Sequence, residues 1–313
     1  MAAAWARDLA DVEHAIPADF YGDAVRWVRL PKTPLRHRFV ECGVPRGIGR
    51  RTFLYSDRAL LRKAAAAQRA RDVTAGVIAH ISRCGSTMLA VCMSQVDDVV
   101  VLSEPPIVSA LLERDDRRDP TLRSVLALYA ERFGASRVVV KLLSRETAHL
   151  DRFRRRTGHP PAIVLFRDPV EVAVSNLQRP TLLDIKRLPE VAARAFGGSA
   201  AAIRRMSREQ FCAWILTGYL RRLAAARVPG ETVMIDYAQL DLGTICRLTE
   251  SFLGPLLPVE RARIGRALRF HSKRPAERYL PDSWIKRRAA TPRLVAMLKE
   301  ATRLYERLEP HGF

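Results

Sequence analysis

The stretch from Val77 to Ala90, VIAHISRCGSTMLA, sets an arginine, a glycine and two hydroxyls between an apolar run and a helical pattern. Val77 to Ile81 predicts a buried parallel strand. Ser82-Arg83-Cys84-Gly85 predicts a tight turn, and Ser86-Thr87 opens a helix continued by Met88, Leu89, Val91, Cys92 and Met93. A strand that feeds a glycine turn at a helix N-terminus makes an anion cradle. Free backbone N–H groups and the positive end of the helix dipole face one point. The stretch nearly fits the triphosphate loop pattern of glycine, four residues, glycine, lysine, then serine or threonine. It departs where His80 replaces the first glycine and Ser86 the lysine. Without that lysine the charge that grips β- and γ-phosphates is gone. Arg83 offers instead a planar, two-pronged cation inside the turn. The chemistry expected is the holding of a phosphate or phosphosulfate rather than of a magnesium-bound triphosphate.

A second constellation lies at Phe166-Arg-Asp-Pro-Val-Glu-Val-Ala-Val-Ser-Asn176. Asp168 and Pro169 are the cap and first position of a helix. Arg167 ends the preceding strand, and Ser175 follows eight residues later, about two helical turns on. Two further charged residues stand at strand ends: Glu104 after Val99-Val-Val-Leu-Ser, and Lys141 after Arg137-Val-Val-Val.

The elements that must position these groups alternate along the chain. Strands are predicted at 73–82, 99–102, 137–141, 162–166 and 232–235. Helices are predicted at 86–96, 105–113, 121–133, 146–157, 169–178, 204–227, 244–253 and 292–308. Short apolar strands alternating with helices give an α/β fold, three layers with a central parallel sheet of about five strands flanked by helices. Such sheets bind ligands beyond the C-terminal ends of their strands. Arg83, Glu104, Lys141 and Arg167 all fall on that rim. The helix 204–227 carries Phe211, Ile215, Tyr219 and Leu223 on one face, the packing stripe of a core helix. Residues 178–201, interrupted by Pro180, Pro189 and Gly197-Gly198, are a candidate lid or substrate-lining insertion. Residues 1–70 are basic, aromatic and turn-rich, read as an N-terminal extension or substrate-side cap; a helix from about 56 to 71 leads to the first core strand. The polar stretch 113–120 is a solvated loop.

These motifs resemble those of the sulfotransferase superfamily, over roughly residues 72–285. Ile81-Ser-Arg-Cys-Gly-Ser-Thr87 is similar to its 5′-phosphosulfate loop, in the arginine-bearing form of carbohydrate and tyrosylprotein sulfotransferases. Arg167-Asp-Pro with Ser175 is similar to its 3′-phosphate motif. The resemblance implies a P-loop domain over 71–313 and the co-substrate 3′-phosphoadenosine 5′-phosphosulfate. It implies Arg83, Cys84, Gly85, Ser86 and Thr87 around the 5′-phosphosulfate and Arg167 with Ser175 on the 3′-phosphate. Glu104, 21 residues after Arg83, takes the place of the general base; Lys141, 26 residues before Arg167, stabilises the leaving group. Ser272-Lys273 and Lys286, after Phe270-His271, fall where the family closes a loop over the nucleotide. Asp236-Tyr237 resembles a family strand end, but Ala238-Gln239 departs from it.

Composition bounds the alternatives. The 313 residues carry 53 Lys+Arg against 33 Asp+Glu, a formal charge of +20. That excess suits an electrostatic funnel for an anionic ligand, and coding bias toward arginine explains it equally well. The basic residues are spread out, with no zinc pattern, no aromatic RNA-binding motif and no recognition helix, so no nucleic-acid partner is expected. The five cysteines, Cys42, Cys84, Cys92, Cys212 and Cys246, are scattered and odd in number. A reducing compartment, the cytoplasm, is expected, and no metal. No apolar run approaches the roughly 18 residues of a membrane span. The expected partner is a hydroxyl-bearing acceptor: peptide tyrosine, carbohydrate or small molecule. A P-loop kinase or other phosphotransferase, and a catalytically silent nucleotide- or anion-binding protein, are the competing functions.

Overall fold

The computed structural model describes residues 4–31, 39–46, 48, 52–68, 72–113, 121–179, 182–225, 231–272 and 274–308. Lys273, residues 114–120 of the stretch expected to be a solvated loop, and parts of the front segment lie outside the described residues. The front segment supplies β1 (Ala4–Trp5), β2 (Ala15–Tyr21), β3 (Ala24–Arg29), β4 (Phe39–Glu41), β5 (Val44–Pro45) and β6 (Phe53–Ser56). Then β7 (Thr74–His80), β8 (Val99–Ser103), β9 (Arg137–Lys141), β10 (Ala162–Phe166) and β11 (Thr232–Asp236) alternate with helices. A late hairpin pairs β12 (Phe270–His271) with β13 (Arg274–Arg278).

The central sheet runs β11-β10-β7-β9-β8-β4-β5, parallel except for β5. All five strands expected from the sequence form, and each buries Val, Ile, Leu or Met on both faces, as a covered parallel sheet requires. The sheet has seven strands rather than five. The front segment adds β4, parallel to β8 with Phe39 opposite Val101, and β5 folds back on it. This covers an edge of β8 that would otherwise expose unpaired backbone groups. Phe39 and Val40 are buried there. The remaining front strands make a separate sheet, β1-β6-β3-β2. It is anchored by Trp27, whose buried Nε1–H donates to Ser56 Oγ at 2.9 Å.

Because β8 and β9 continue to one side of β7 while β10 and β11 lie on the other, chain order reverses between β7 and β10. That crevice is where a doubly wound sheet accepts a ligand. The sheet therefore lines up its C-terminal ends in the order Asp236, Phe166, His80, Lys141, Ser103.

Most helices follow the expected pattern, but the helix expected at 146–157 forms only over Leu150–Arg156, after a 3-10 turn at Ser144–His149. The helix expected at 204–227 begins at Arg208, because Ser207 and Gln210 exchange side-chain-to-backbone bonds and restart it after a short helix Ala200–Arg205. The terminal helix divides into Pro292–Met297 and Lys299–Glu306. A helix Pro258–Leu268, with Pro258 at its first position, was not expected at all. The packing stripe Phe211, Ile215, Tyr219 and Leu223 is fully buried. Residues 182–205 fold as three short helices, Leu182–Lys186, Pro189–Phe196 and Ala200–Arg205.

Gly76 shows how closely a helix approaches this sheet. A Cβ there would overlap the Phe252 ring of the helix Leu242–Leu253, which packs over β7. Gly76→Ala must push that ring away, an overpacking cost of about 1–3 kcal/mol. Urea unfolding should show a lower midpoint at an unchanged slope; a midpoint equal to the wild type would contradict this packing.

Candidate active site

The anion loop leaves β7 at the centre of the sheet. Arg83 and Gly85 both adopt left-handed backbone, φ +62° and +86°. Gly85 takes it without strain, and it has no room for a side chain: a Cβ would lie 2.7 Å from Tyr237 Cδ2. Gly85 is the N-cap of the helix Ser86–Met93, and the first amides of that helix have no partner within it. Cys84 points away from the cradle. Its Sγ is buried and donates to Ile81 O at 2.8 Å. Burial pushes this thiol up to about 12, so it is a packing group and not a nucleophile.

On one side of the loop stands a buried charge cluster. Lys141 is the end of β9 and is fully buried. Its Nζ donates to Glu104 Oε1. Register brings the two together: Ser103 of β8 lies opposite Lys141, and the Glu104 N–H donates to Lys141 O at 2.8 Å. Glu104 sits at φ +53°, a left-handed conformation that costs a non-glycine residue about 1 kcal/mol or more. His80 completes the cluster, its Nε2 3.7 Å from Glu104 Oε1 and 2.9 Å from Leu142 O, its Nδ1 2.7 Å from Ile81 O. Burial, then the Lys141 charge, pulls the His80 pKa down to about 4 in spite of Glu104. The imidazole is therefore neutral at neutral pH and donates to one of its two carbonyl neighbours.

On the other side lies a cationic subsite. Arg167 follows β10 directly, and Asp168 caps the next helix by accepting from Val170 N at 2.7 Å and Glu171 N at 3.3 Å. The Arg167 guanidinium donates to Glu171 at 2.7 Å, to Asp282 and Ser283 at 3.1 Å, and to Arg83 O at 3.3 Å. It stacks on Tyr237, 3.8 Å from the ring centroid. Burial works against its charge, but Tyr237, Glu171 and Asp282 outweigh it and raise its pKa. Arg83 Nε donates to Ser175 Oγ at 2.9 Å, which ties the loop to the Arg167 helix. Burial, then Arg179, lowers the Arg83 pKa; burial lowers that of Lys286 as well.

These groups surround one cleft of about 340 Å³. Arg83, Cys84, Gly85, Ser86, Thr87, Glu104, Arg167, Ser272 and Lys286, all picked out in the sequence, line it. Lys141 and Ser175 do not. Lys141 stands behind Glu104, and Ser175 behind Arg83. His149 is not on the lining, whereas His271 is. Ser272 faces the cleft while its carbonyl accepts from Arg46 Nη2 at 3.1 Å. Sequence reasoning missed His80 as a neighbour of Glu104, Tyr237 as the platform under Arg167, and Asp282. The Asp236-Tyr237 strand end was the one signal that could have found the second. The segment 182–188 does line the cleft, through Asp184, Ile185 and Leu188. Among the described residues no group of His, Cys, Asp or Glu is placed to hold a metal ion, and no helix is long and apolar enough to cross a membrane.

No protein-family model matches the chain, and no curated protein matches its sequence. Among solved structures it is similar to the crystal structure of sulfotransferase STF9 from Mycobacterium avium, 13% identical, over 82% of each chain, with a TM-score of 0.46. At that score the cleft's own residues must decide the chemistry.

The thiols give a direct check on the loop. Of the five cysteines Cys42 is exposed and Cys84, Cys92, Cys212 and Cys246 are buried. Native protein at pH 8 should release one fast equivalent with a thiol reagent and the other four only on unfolding. A second fast equivalent mapped to Cys84 would place its sulfur in the cleft.

Proposed function

We propose that the cleft binds 3′-phosphoadenosine 5′-phosphosulfate and transfers its sulfuryl group to an acceptor hydroxyl. The observation that carries this is the pairing, in one cleft, of the Arg83–Thr87 cradle with a second cationic subsite at Arg167 and Lys286, while Glu104 faces the same space. A nucleotide with anions at both its 5′ and 3′ ends suits two such subsites; a triphosphate does not. The amides that open the helix after Gly85 have no partner within it, which suits a phosphosulfate.

When bound, the donor supplies an activated sulfuryl group, and the bond to its bridging oxygen breaks as the acceptor oxygen bonds to sulfur. Such transfers have loose, in-line transition states, so catalysis lies in positioning and positive charge. Arg83 and the loop from Cys84 to Thr87 would hold the 5′ end. Arg167, Ser272 and Lys286 would hold the 3′-phosphate, and Ser175, behind Arg83, would orient that arginine. Glu104 takes the acceptor's proton. An unperturbed glutamate has a pKa near ~4.3 and a phenol near ~10, so the proton moves late, once the oxygen has begun bonding to sulfur. Lys141 then acts through the same event. As Glu104 takes up the proton, the Lys141 ammonium behind it would act at a distance on the negative charge developing at the bridging oxygen. Met88, Leu143, Ile185 and Leu188 line the same cleft and favour an acceptor with an apolar body, such as a phenol.

The test is nucleotide selectivity. Adenosine 3′,5′-bisphosphate should bind clearly more tightly than adenosine 5′-monophosphate by calorimetry. Arg167→Ala should shrink the gap by about 1.5–3 kcal/mol, the worth of a hydrogen bond to a charged group; Glu171 keeps Arg287 as its partner in that variant. Equal affinities for the two nucleotides in the wild type would remove the 3′-phosphate subsite.

A further inference from the structure

The cations of the second subsite already hold an anion, and it belongs to the chain. Asp282 Oδ1 accepts from Arg167 Nη2 at 3.1 Å and from Lys286 Nζ at 2.8 Å. Two carboxylates serve Arg167, and they differ in kind. Glu171 is 3% exposed and is shared with Arg287 beneath the site. Asp282 has a side chain 45% exposed and lines the cleft itself. Arg167 and Lys286 are only 5% and 10% exposed, so a carboxylate open to water closes off two cations that are not.

The local backbone gives Asp282 another use, which it does not take. It stands at the N-cap of the helix Ser283–Arg288, where an aspartate ordinarily accepts from the helix amides. Its side chain makes no capping bond. The carboxylate is turned to the cations instead, and the helix forgoes the stabilisation.

We propose that Asp282 is an internal anion of the 3′-phosphate subsite, seated on Arg167 and Lys286 until the nucleotide's 3′-phosphate displaces it. This rests on the donor assignment above. A tethered carboxylate competes at a high effective concentration. A small free anion, bound only at this subsite, is excluded by it. A nucleotide anchored also at the Arg83–Thr87 loop is not. After transfer the carboxylate returns to the same two cations and assists departure of the bisphosphate product. Asp282 therefore sets both the selectivity and the reversibility of the subsite. Lys286 and Arg167 hold its pKa below the ordinary value although burial acts the other way, so it stays anionic across the neutral range.

Asp282→Asn keeps the shape and removes the charge. Titrated by calorimetry, the variant should bind adenosine 3′,5′-bisphosphate roughly 5–10-fold more tightly than the wild type, the scale of a partly exposed charged contact. Adenosine 5′-monophosphate should change less than about two-fold, and inorganic phosphate should bind more tightly. Unchanged or weaker bisphosphate binding to folded Asp282→Asn would overturn the proposal and make Asp282 a support for the cations instead. Inorganic phosphate separates this from the donor assignment. If the wild type does not prefer the bisphosphate, the donor assignment fails; tighter phosphate on Asp282→Asn still supports the internal anion, and unchanged phosphate still overturns it. A wild-type crystal structure with the bisphosphate needs no variant to fold. Its Asp282 carboxylate should have left Arg167, and a retained 3.1 Å contact beside bound 3′-phosphate would contradict displacement.

Discussion

Lys141 ends a central strand with its side chain closed to solvent, and an ammonium in that position is tolerable only against a carboxylate. Left unpaired it costs several kcal/mol. Glu104 meets it because β8 and β9 are in register to their last residues, and because the chain turns through a left-handed residue immediately afterward. The backbone bond from Glu104 N–H to Lys141 O locks that turn. His80, at the end of the next strand, packs against the same carboxylate and bonds to the carbonyls around it. Three strand ends are thus joined by one buried charge pair, and the anion loop springs from the third. That loop therefore begins beside the pair.

The other half of the cleft is built on the same principle. Arg167 and Lys286 are held by Asp282, a partner that lines the cleft itself, and Arg83 is held from behind by Ser175. Permanent supports lie behind them, Glu171 under Arg167 and Tyr237 against its face. Positive charge is therefore already in place in the cleft, as the proposed transfer would require. The large positive charge of the chain adds long-range attraction to this local arrangement.

Much of the fold was legible because its signals are local. A parallel sheet covered on both faces needs unbroken runs of Val, Ile and Leu, and those runs mark β7 to β11 to within a residue or two. Asp168-Pro169 announces a helix start by chemistry that needs no neighbour. What was not legible depends on distant pairing. β4 is three residues long, and it is a strand through its pairing with β8 and β5. Glu104 and Lys141 were both visible as strand-end charges, but their contact follows from register between strands 37 residues apart. Nothing in the sequence marked Asp282. Its role as a partner of Arg167 exists only after the chain has returned from 115 residues away.

The central claim is that the Lys141–Glu104 pair does chemistry as well as holding the rim together, and a double-mutant cycle tests it most directly. Glu104→Gln, Lys141→Met and the double variant would be measured for melting temperature, donor affinity and kcat, on an acceptor found by screening hydroxyl pools with labelled donor. The account predicts folded proteins with nearly unchanged donor affinity for Glu104→Gln and a kcat lowered by about 10²–10⁴-fold, the usual contribution of a general base. The double variant should be little worse than the worse single, because the two groups act as a unit. A folded Glu104→Gln enzyme with near-normal kcat, where chemistry limits the rate, would contradict it.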